Sequence, residues 1–200
     1  MIKRPGYLNQ LIDYMWDGQV KVVTGIRRSG KSVLLFDLFY NYLLKTGVKK
    51  RQIIKIELDK RKDIQYRDPI VLCDMVKAVV TRSKEKFYLF IDEVQFAKST
   101  VFPEAETETA SIYDMLNELK DYKNLDVYVT GSNSKMLSKD IATEFRGRAS
   151  FVHIFPFSFK EYFDAVGGDK RDAFDEYMVY GGMPYSAFLK NDRQKKEYFT

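Results

Sequence analysis

A chain of 200 residues, 45% hydrophobic and 30% charged, has enough apolar side chains for one full domain and part of another, and too many to be disordered. No apolar run approaches the roughly 18 residues of a membrane helix. The single cysteine, Cys73, excludes a disulfide framework and argues against a metal cluster; a net charge of +5 permits contact with nucleic acid but does not argue for it.

The first residues, Met1 to Gly6, contain no hydrophobic signal core, so a cytoplasmic location is expected. Residues 5 to 17 open with Pro5 and place Leu8, Leu11, Ile12 and Met15 at helical spacing, up to a stop at Gly18. Residues 19–24 read as a short strand. An apolar helix is expected from Ser32 to about Lys45, ended by Thr46 and Gly47. Residues 52–59 alternate apolar and polar side chains and predict a second strand. A charged loop, 60–68, leads to a helix starting at Pro69 with Asp68 as its N-cap. Ile70, Val71, Cys73, Val76, Val79 and Val80 are its expected buried side, with Cys73 a small core residue.

Residues 86–93 form a near-continuous apolar run that predicts a strand covered on both faces, as in a parallel sheet. Residues 96–109, with Pro103, Glu104, Glu106 and Glu108, read as a poorly ordered loop. A helix over 111–122 buries Ile112, Met115, Leu116 and Leu119. A fourth strand is expected over 125–130, a short helix over 135–139 and a fifth strand over 151–154. Strands and helices alternate, which predicts an α/β fold with a parallel sheet flanked by helices. After Pro156 come an aromatic helix (Phe157, Phe159, Tyr162, Phe163), a helix over 169–180, and a charged helical stretch from Tyr185 to Thr200. Two units are expected: residues 1–156 as the core, and 157–200 as a helical lid and the start of a further C-terminal region.

The chemistry begins at Gly25-Ile26-Arg27-Arg28-Ser29-Gly30-Lys31-Ser32, which fits G-x-x-x-x-G-K-[ST] between a strand and a helix. Glycines let the backbone approach a ligand closely. Successive N–H groups then form an anion nest, helped by the positive end of the following helix. Gly25, Arg27, Arg28, Ser29, Gly30, Lys31, Ser32 and Val33 are the expected contacts of ATP, with Lys31 reaching its β- and γ-phosphates. Ser32 offers a hydroxyl to Mg²⁺, and Asp92, at the end of the third strand, is expected to orient the ion through its water shell. Glu93 is the expected general base. The competing reading of the loop is a glycine turn before an ordinary helix; that of Asp92 and Glu93 is a pair of solvated carboxylates.

At the end of the fourth strand, Thr130-Gly131-Ser132-Asn133-Ser134 offers Asn133 or Ser132 to hold the attacking water, or simply a cap for the helix that follows. Arg148, or Arg146 beside it, is a candidate to stabilise charge on the γ-phosphate, with a surface ion pair as the alternative. Arg27 and Arg28 compete for that role. His153, the only histidine, reads as structural. The aromatic stretch 155–163 reads as core or a docking face, since it lacks the interleaved basic residues of a single-strand binder.

These residues together resemble the prokaryotic AAA-type ATPases whose N-terminal ATPase domain is followed by a domain of unknown function. The likeness rests on the phosphate loop, Asp92-Glu93-Val94-Gln95, Thr130 to Leu137, Phe145-Arg146-Gly147-Arg148, Pro156-Phe157-Ser158-Phe159 and Tyr180-Gly181-Gly182-Met183-Pro184. It implies an AAA-like sheet in the order 5-1-4-3-2. It implies an ATP site of Lys31, Ser32, Asp92 and Glu93, with Asn133 or a neighbour as first sensor. It also implies that members continue well beyond residue 200, often into a region likened to nuclease folds, and no nuclease function is carried over to this chain. The acidic stretch 96–109 departs from shorter members, and no second-sensor arginine can be placed.

The expected activity is Mg-dependent ATP hydrolysis that drives or switches the C-terminal region of the same protein, with a homo-oligomer as a possible assembly. One alternative is a nucleotide-gated binding module with negligible turnover, for which DNA is the candidate partner. Another is a small-molecule kinase, which the Asp92-Glu93 pair fits less well than water activation. The base is expected near residues 2–7, with Tyr7 its candidate contact.

Overall fold

The computed structural model describes residues 3–102, 105–132, 145, 147, 149–189 and 191–199. Five parallel strands form the central sheet: β1 (Val20–Thr24), β2 (Ile53–Glu57), β3 (Phe87–Asp92), β6 (Leu125–Gly131) and β7 (Ala149–His153). Their order is β2-β3-β6-β1-β7. Counting these five alone, it is the expected 5-1-4-3-2 read from the opposite edge. Because β6 lies between β3 and β1, the C-terminal ends of three strands meet beside the phosphate loop.

The strands' side chains sort by alternation. Phe87, Leu89 and Ile91 of β3 join Leu125, Val127 and Val129 of β6 in one core. It is covered by α4 (Pro69–Val80) and α5 (Ile112–Leu119). Tyr88, Phe90 and Tyr128 face the other way with Val23, under α1 (Pro5–Asp13) and the helix after the phosphate loop. A strand covered on both faces must be apolar at every position, which is why β3 is so legible. The helix after the loop runs as α2 (Lys31–Val33), a π-helical stretch (Leu34–Phe39) and α3 (Tyr40–Lys45). Its Leu34, Leu35, Phe39 and Leu43 are buried.

Caps follow their chemistry. Asp68 accepts the Ile70 N–H at the start of α4. Ser111 and Asp114 form a reciprocal pair at α5, and Ser158 and Glu161 another at α6 (Phe159–Val166). Helix α7 (Lys170–Tyr180) is capped by Asp169. Helix α8 (Asp192–Phe199) packs back on α7 through Lys195 with Glu176 and the stacked rings of Tyr180 and Phe199.

Four expectations need correction. Residues 61–67 are not an open loop but a 3₁₀ turn, Arg61–Arg67, held by Asp63 accepting the Glu57 N–H at 2.8 Å. The buried stripe of α4 is Pro69, Leu72, Cys73, Val76 and Val80, whereas Val71 and Val79 turn outward. Positions 72, 76 and 80 recur every four residues and define the stripe, while 71 and 79 fall off it. The acidic stretch is an antiparallel hairpin of β4 (Thr100–Phe102) and β5 (Ala105–Ala110), pairing Thr100 with Ala110 and Val101 with Thr109. Its polar composition hid a period of two: Thr107 and Thr109 alternate with Glu106 and Glu108. The stretch after Tyr185 is a 3₁₀ turn, Ser186–Phe188, before α8. The short helix expected over 135–139 lies outside the described residues.

Cys73 is buried as expected, and that burial pushes its thiol up to about 11. At the N-terminal end of the sheet, Lys21 is fully buried. Its ammonium pairs with Asp126 and, at 2.7 Å, with Asp17, and donates to the Gln19 carbonyl at 3.0 Å. Asp126 also accepts from the Tyr128 hydroxyl and the Trp16 N–H. Breaking one side of a buried pair strands the other charge. Asp126→Ala is expected to cost about 3 kcal/mol, measured by chemical denaturation; a cost under about 0.5 kcal/mol would mean that Asp17 and the Gln19 carbonyl suffice for Lys21.

Candidate functional site

The site is built at the C-terminal ends of β1, β3 and β6. The phosphate loop leaves β1 at Gly25, whose φ is +147°. A Cβ at Gly25 would overlap the Ile154 carbonyl oxygen, so only glycine lets the loop pass β7 here. The crossing is fixed by the Ile154 N–H donating to the Thr24 carbonyl at 2.8 Å. Thr24 also shares a 3.0 Å hydrogen bond with Nδ1 of His153, which fits a structural role for that ring. Gly30, at φ +98°, turns the loop into the helix.

Lys31 is almost fully buried, and its ammonium donates to the Ile26 carbonyl at 2.9 Å. Burial pulls its pKa down, while Glu93 and Asp92 pull it up. Ser32 Oγ donates to Asp92 Oδ1 at 3.0 Å. Thr130 donates to the same oxygen and accepts the Glu93 N–H at 3.1 Å. Burial raises the Asp92 pKa, and the hydrogen bonds from Thr130 and Ser32 oppose it. Lys31, Ser32, Asp92 and Glu93 are therefore brought together at one end of the sheet, with Thr130 an additional link.

Glu93 sits in the left-handed region, at φ +54°. Its Oε2 accepts from Ser132 Oγ at 2.9 Å and from the Gln95 side-chain amide. Ser132, expected at a water, is thus engaged with Glu93. Gln95 stands two residues after Glu93, and nothing in that spacing tells that its side chain returns to the carboxylate.

A cleft of about 440 Å³ runs over Arg28, Lys31, Ser32 and Glu93 and is bounded by Pro184, Tyr185, Phe188 and Tyr198. A neighbouring pocket of about 300 Å³ is lined by Arg4, Val33, Leu34, Asp37, Leu38 and Phe157, among others. The two share Gly30, Val33, Pro184 and Phe188. Ser29 is buried, and Val33 is exposed where the two meet. Arg27 is exposed. Arg28 turns to α8: it donates to the Tyr198 carbonyl at 3.2 Å, with its guanidinium 4.7 Å from the Tyr198 ring centre.

Arg4, which no sequence signal marks, is buried and reaches three places at once. It donates to the Ser29 carbonyl at 3.1 Å, to the Phe155 carbonyl at 2.8 Å and to Glu161 at 2.8 Å. Tyr7 lies beneath its guanidinium rather than in the pocket wall. Among the sequence candidates, Asn133, Arg146 and Arg148 lie outside the described residues; Phe145 beside them is buried against Tyr113. Among the described residues no cluster of three or more His, Cys, Asp or Glu is placed to hold a metal, and no helix is long and apolar enough to cross a membrane.

A family model described as an AAA domain matches residues 17–163. An uncharacterized protein of Haemophilus influenzae is 33% identical over 189 residues, covering 92% of this chain and 44% of its own length. One from Methanocaldococcus jannaschii is 27% identical over 195 residues, covering 90% and 38%. The chain thus spans less than half the length of these curated relatives. A Walker-type ATPase of Pyrococcus abyssi superposes with a TM-score of 0.59 at 19% identity, covering 94% of this chain and 65% of that one. Caenorhabditis elegans PCH-2 gives 0.59 at 13%, covering 90% and 49%. At such identities these likenesses speak for the fold alone.

Gly25→Ala puts a side chain against a backbone oxygen and is expected to destabilise the chain by about 3 kcal/mol. Gly47→Ala, also at positive φ (+95°) but with open space around it, is expected to cost about 1 kcal/mol. Equal shifts in thermal unfolding for the two would contradict the close approach at Ile154.

Proposed function

The chain belongs to the AAA domain family, and from that premise we propose that it binds ATP with Mg²⁺ and hydrolyses it, using the change to move the residues that follow Pro156. The observation that carries this reading is the convergence of Lys31, Ser32, Asp92 and Glu93 at one end of the sheet. Loop N–H groups and the helix beyond Gly30 suit a polyphosphate. The Lys31 ammonium, folded onto a loop carbonyl, is the group that would exchange that acceptor for phosphate oxygens. The smaller pocket, walled by Val33, Leu34, Leu38 and Phe157, suits a flat base.

Ser32 Oγ and Asp92 Oδ1, 3.0 Å apart, are two oxygen donors of the kind a hard divalent cation takes. Mg²⁺ held by them would neutralise charge on the β- and γ-phosphate oxygens. Glu93, on the wall of the same cleft, takes a proton from a water as its oxygen attacks the γ-phosphorus. The bond from the γ-phosphorus to the bridging oxygen breaks, leaving ADP and inorganic phosphate. Asn133 is our candidate to orient that water, and Arg148, with Arg146 beside it, to stabilise the charge that develops.

We read residues 1–156 as the ATPase core and 157–200 as a lid. Support comes from Arg28 on Tyr198 and from Pro184 and Phe188, which bound both pockets. The longer relatives suggest that such a lid would pass its motion to a C-terminal region.

The test is ATP binding and steady-state phosphate release with and without Mg²⁺. Lys31→Ala is expected to weaken binding by about a hundredfold (~2.7 kcal/mol). Glu93→Gln is expected to bind ATP normally and release phosphate at least about a hundredfold more slowly. Wild-type binding without release would favour a nucleotide-gated binding module; equal binding by all three would overturn the site.

A further inference from the structure

Gln95 lies two residues beyond Glu93, in the 3₁₀ turn Val94–Phe96. The turn is well anchored. Val94 is buried in the core, the Phe96 N–H donates to the Glu93 carbonyl at 3.0 Å, and the Arg67 guanidinium covers the Phe96 ring. Glu93 enters it in the left-handed region, without its carboxylate capping the turn. A reversal this tight brings the Gln95 side chain back over Glu93.

Three hydrogen bonds then close a small ring. The Gln95 Nε2 group donates to Glu93 Oε2 and, at 3.1 Å, to Ser132 Oγ. Ser132 Oγ donates to the same Glu93 oxygen at 2.9 Å. Among the described residues both bonds to the carboxylate fall on Oε2. The orientation of the amide follows, because its reverse would set Oε1 against a carboxylate. That choice has a cost. Gln95 Oε1 is buried without a partner among the described residues, and an unpaired buried acceptor is unfavourable. A polar side chain kept at such a cost is best explained by what its N–H groups hold.

We propose that Gln95 is a positioning residue for hydrolysis: with Ser132 it fixes Oε2 of Glu93 and leaves Oε1 as the oxygen that receives the proton of the attacking water. The role rests on Glu93 acting as the base. Gln95 is not among the residues that line the cleft and acts through Glu93. Ser132 links the ring to the end of β6, where Thr130 also holds Asp92 and the Glu93 N–H. The carboxylate that takes the proton and the carboxylate beside Ser32 are therefore set by the same strand end.

The experiment compares phosphate release and ATP affinity for wild type, Gln95→Leu, Ser132→Ala, Ser132→Thr, Glu93→Gln and the Glu93→Gln/Gln95→Leu double variant. Loss of a general base costs about 10²–10⁴-fold, and loss of its positioning part of that. Gln95→Leu is expected to lower kcat about tenfold with ATP affinity unchanged. Ser132→Ala is expected to lower kcat severalfold, and Ser132→Thr, which keeps the hydroxyl, to recover most of that loss. In the double variant the Gln95 change is expected to add nothing to Glu93→Gln, because it acts only through that carboxylate. A Gln95→Leu rate at or above wild type, or a further loss in the double variant, would overturn the inference while leaving ATP hydrolysis standing. A wild type that binds ATP but releases no phosphate, or a Glu93→Gln that matches wild type, would overturn both. Should Gln95→Leu fail to fold, the Ser132 pair carries the same decision: equal rates for Ala and Thr would refute it.

Discussion

The hydrogen bond from Ser32 to Asp92 spans 60 residues of sequence. It forms only when the phosphate loop and β3 end at the same level, although these strands are not neighbours. β6 lies between them and sets the register, with Val129 opposite both Val22 and Ile91. Thr130 closes the gap chemically, donating to Asp92 and accepting from the Glu93 backbone. A one-residue slip of β6 would reverse its buried faces and carry Thr130 away from both carboxylates. The apolar alternation that packs the sheet and the polar geometry at its end are therefore one constraint. The burial that this imposes also bears on charge: it raises the Asp92 pKa, which the two hydroxyl donors counteract.

A second set of contacts ties the loop to the helices beyond β7. Arg4 joins the loop carbonyl of Ser29 to Phe155 and to Glu161 of α6. Gly182 then approaches the Phe157 backbone so closely that a Cβ would overlap it, and the Phe157 N–H donates to the Gly182 carbonyl at 2.6 Å. That explains a glycine before Met183 and Pro184, which bring the chain over the cleft. Arg28 completes the connection on the other side through Tyr198. A rearranged loop would therefore be felt by α6 through Arg4 and by α8 through Arg28.

Much of this was legible in the sequence, for identifiable reasons. β3 is apolar throughout because it is buried on both faces, and its Asp92-Glu93 end stands out against that run. The phosphate loop reads directly because its glycines answer to backbone geometry. The caps at Asp68 and the buried face of α5 follow from local chemistry. Other features depend on contacts that no local pattern announces. Arg4 meets Glu161 across 157 residues. Gln95 reaches Glu93 only because Glu93 takes a left-handed conformation. The hairpin of β4 and β5 was hidden by acidic composition, and α4's stripe by valines on both of its faces. Arg28 lines the cleft and also meets Tyr198, 170 residues away, a contact that no local pattern announces.

The most direct measurement is a crystal structure of the chain with Mg²⁺ and a non-hydrolysable ATP analogue. Phosphates are expected in the loop, with the Lys31 ammonium moved from the Ile26 carbonyl to a phosphate oxygen. The cation is expected beside Ser32 and Asp92, and Glu93 still held by Gln95 and Ser132. An analogue bound elsewhere, or bound with Lys31 still on Ile26 and no cation beside Ser32, would overturn the assignment of the site.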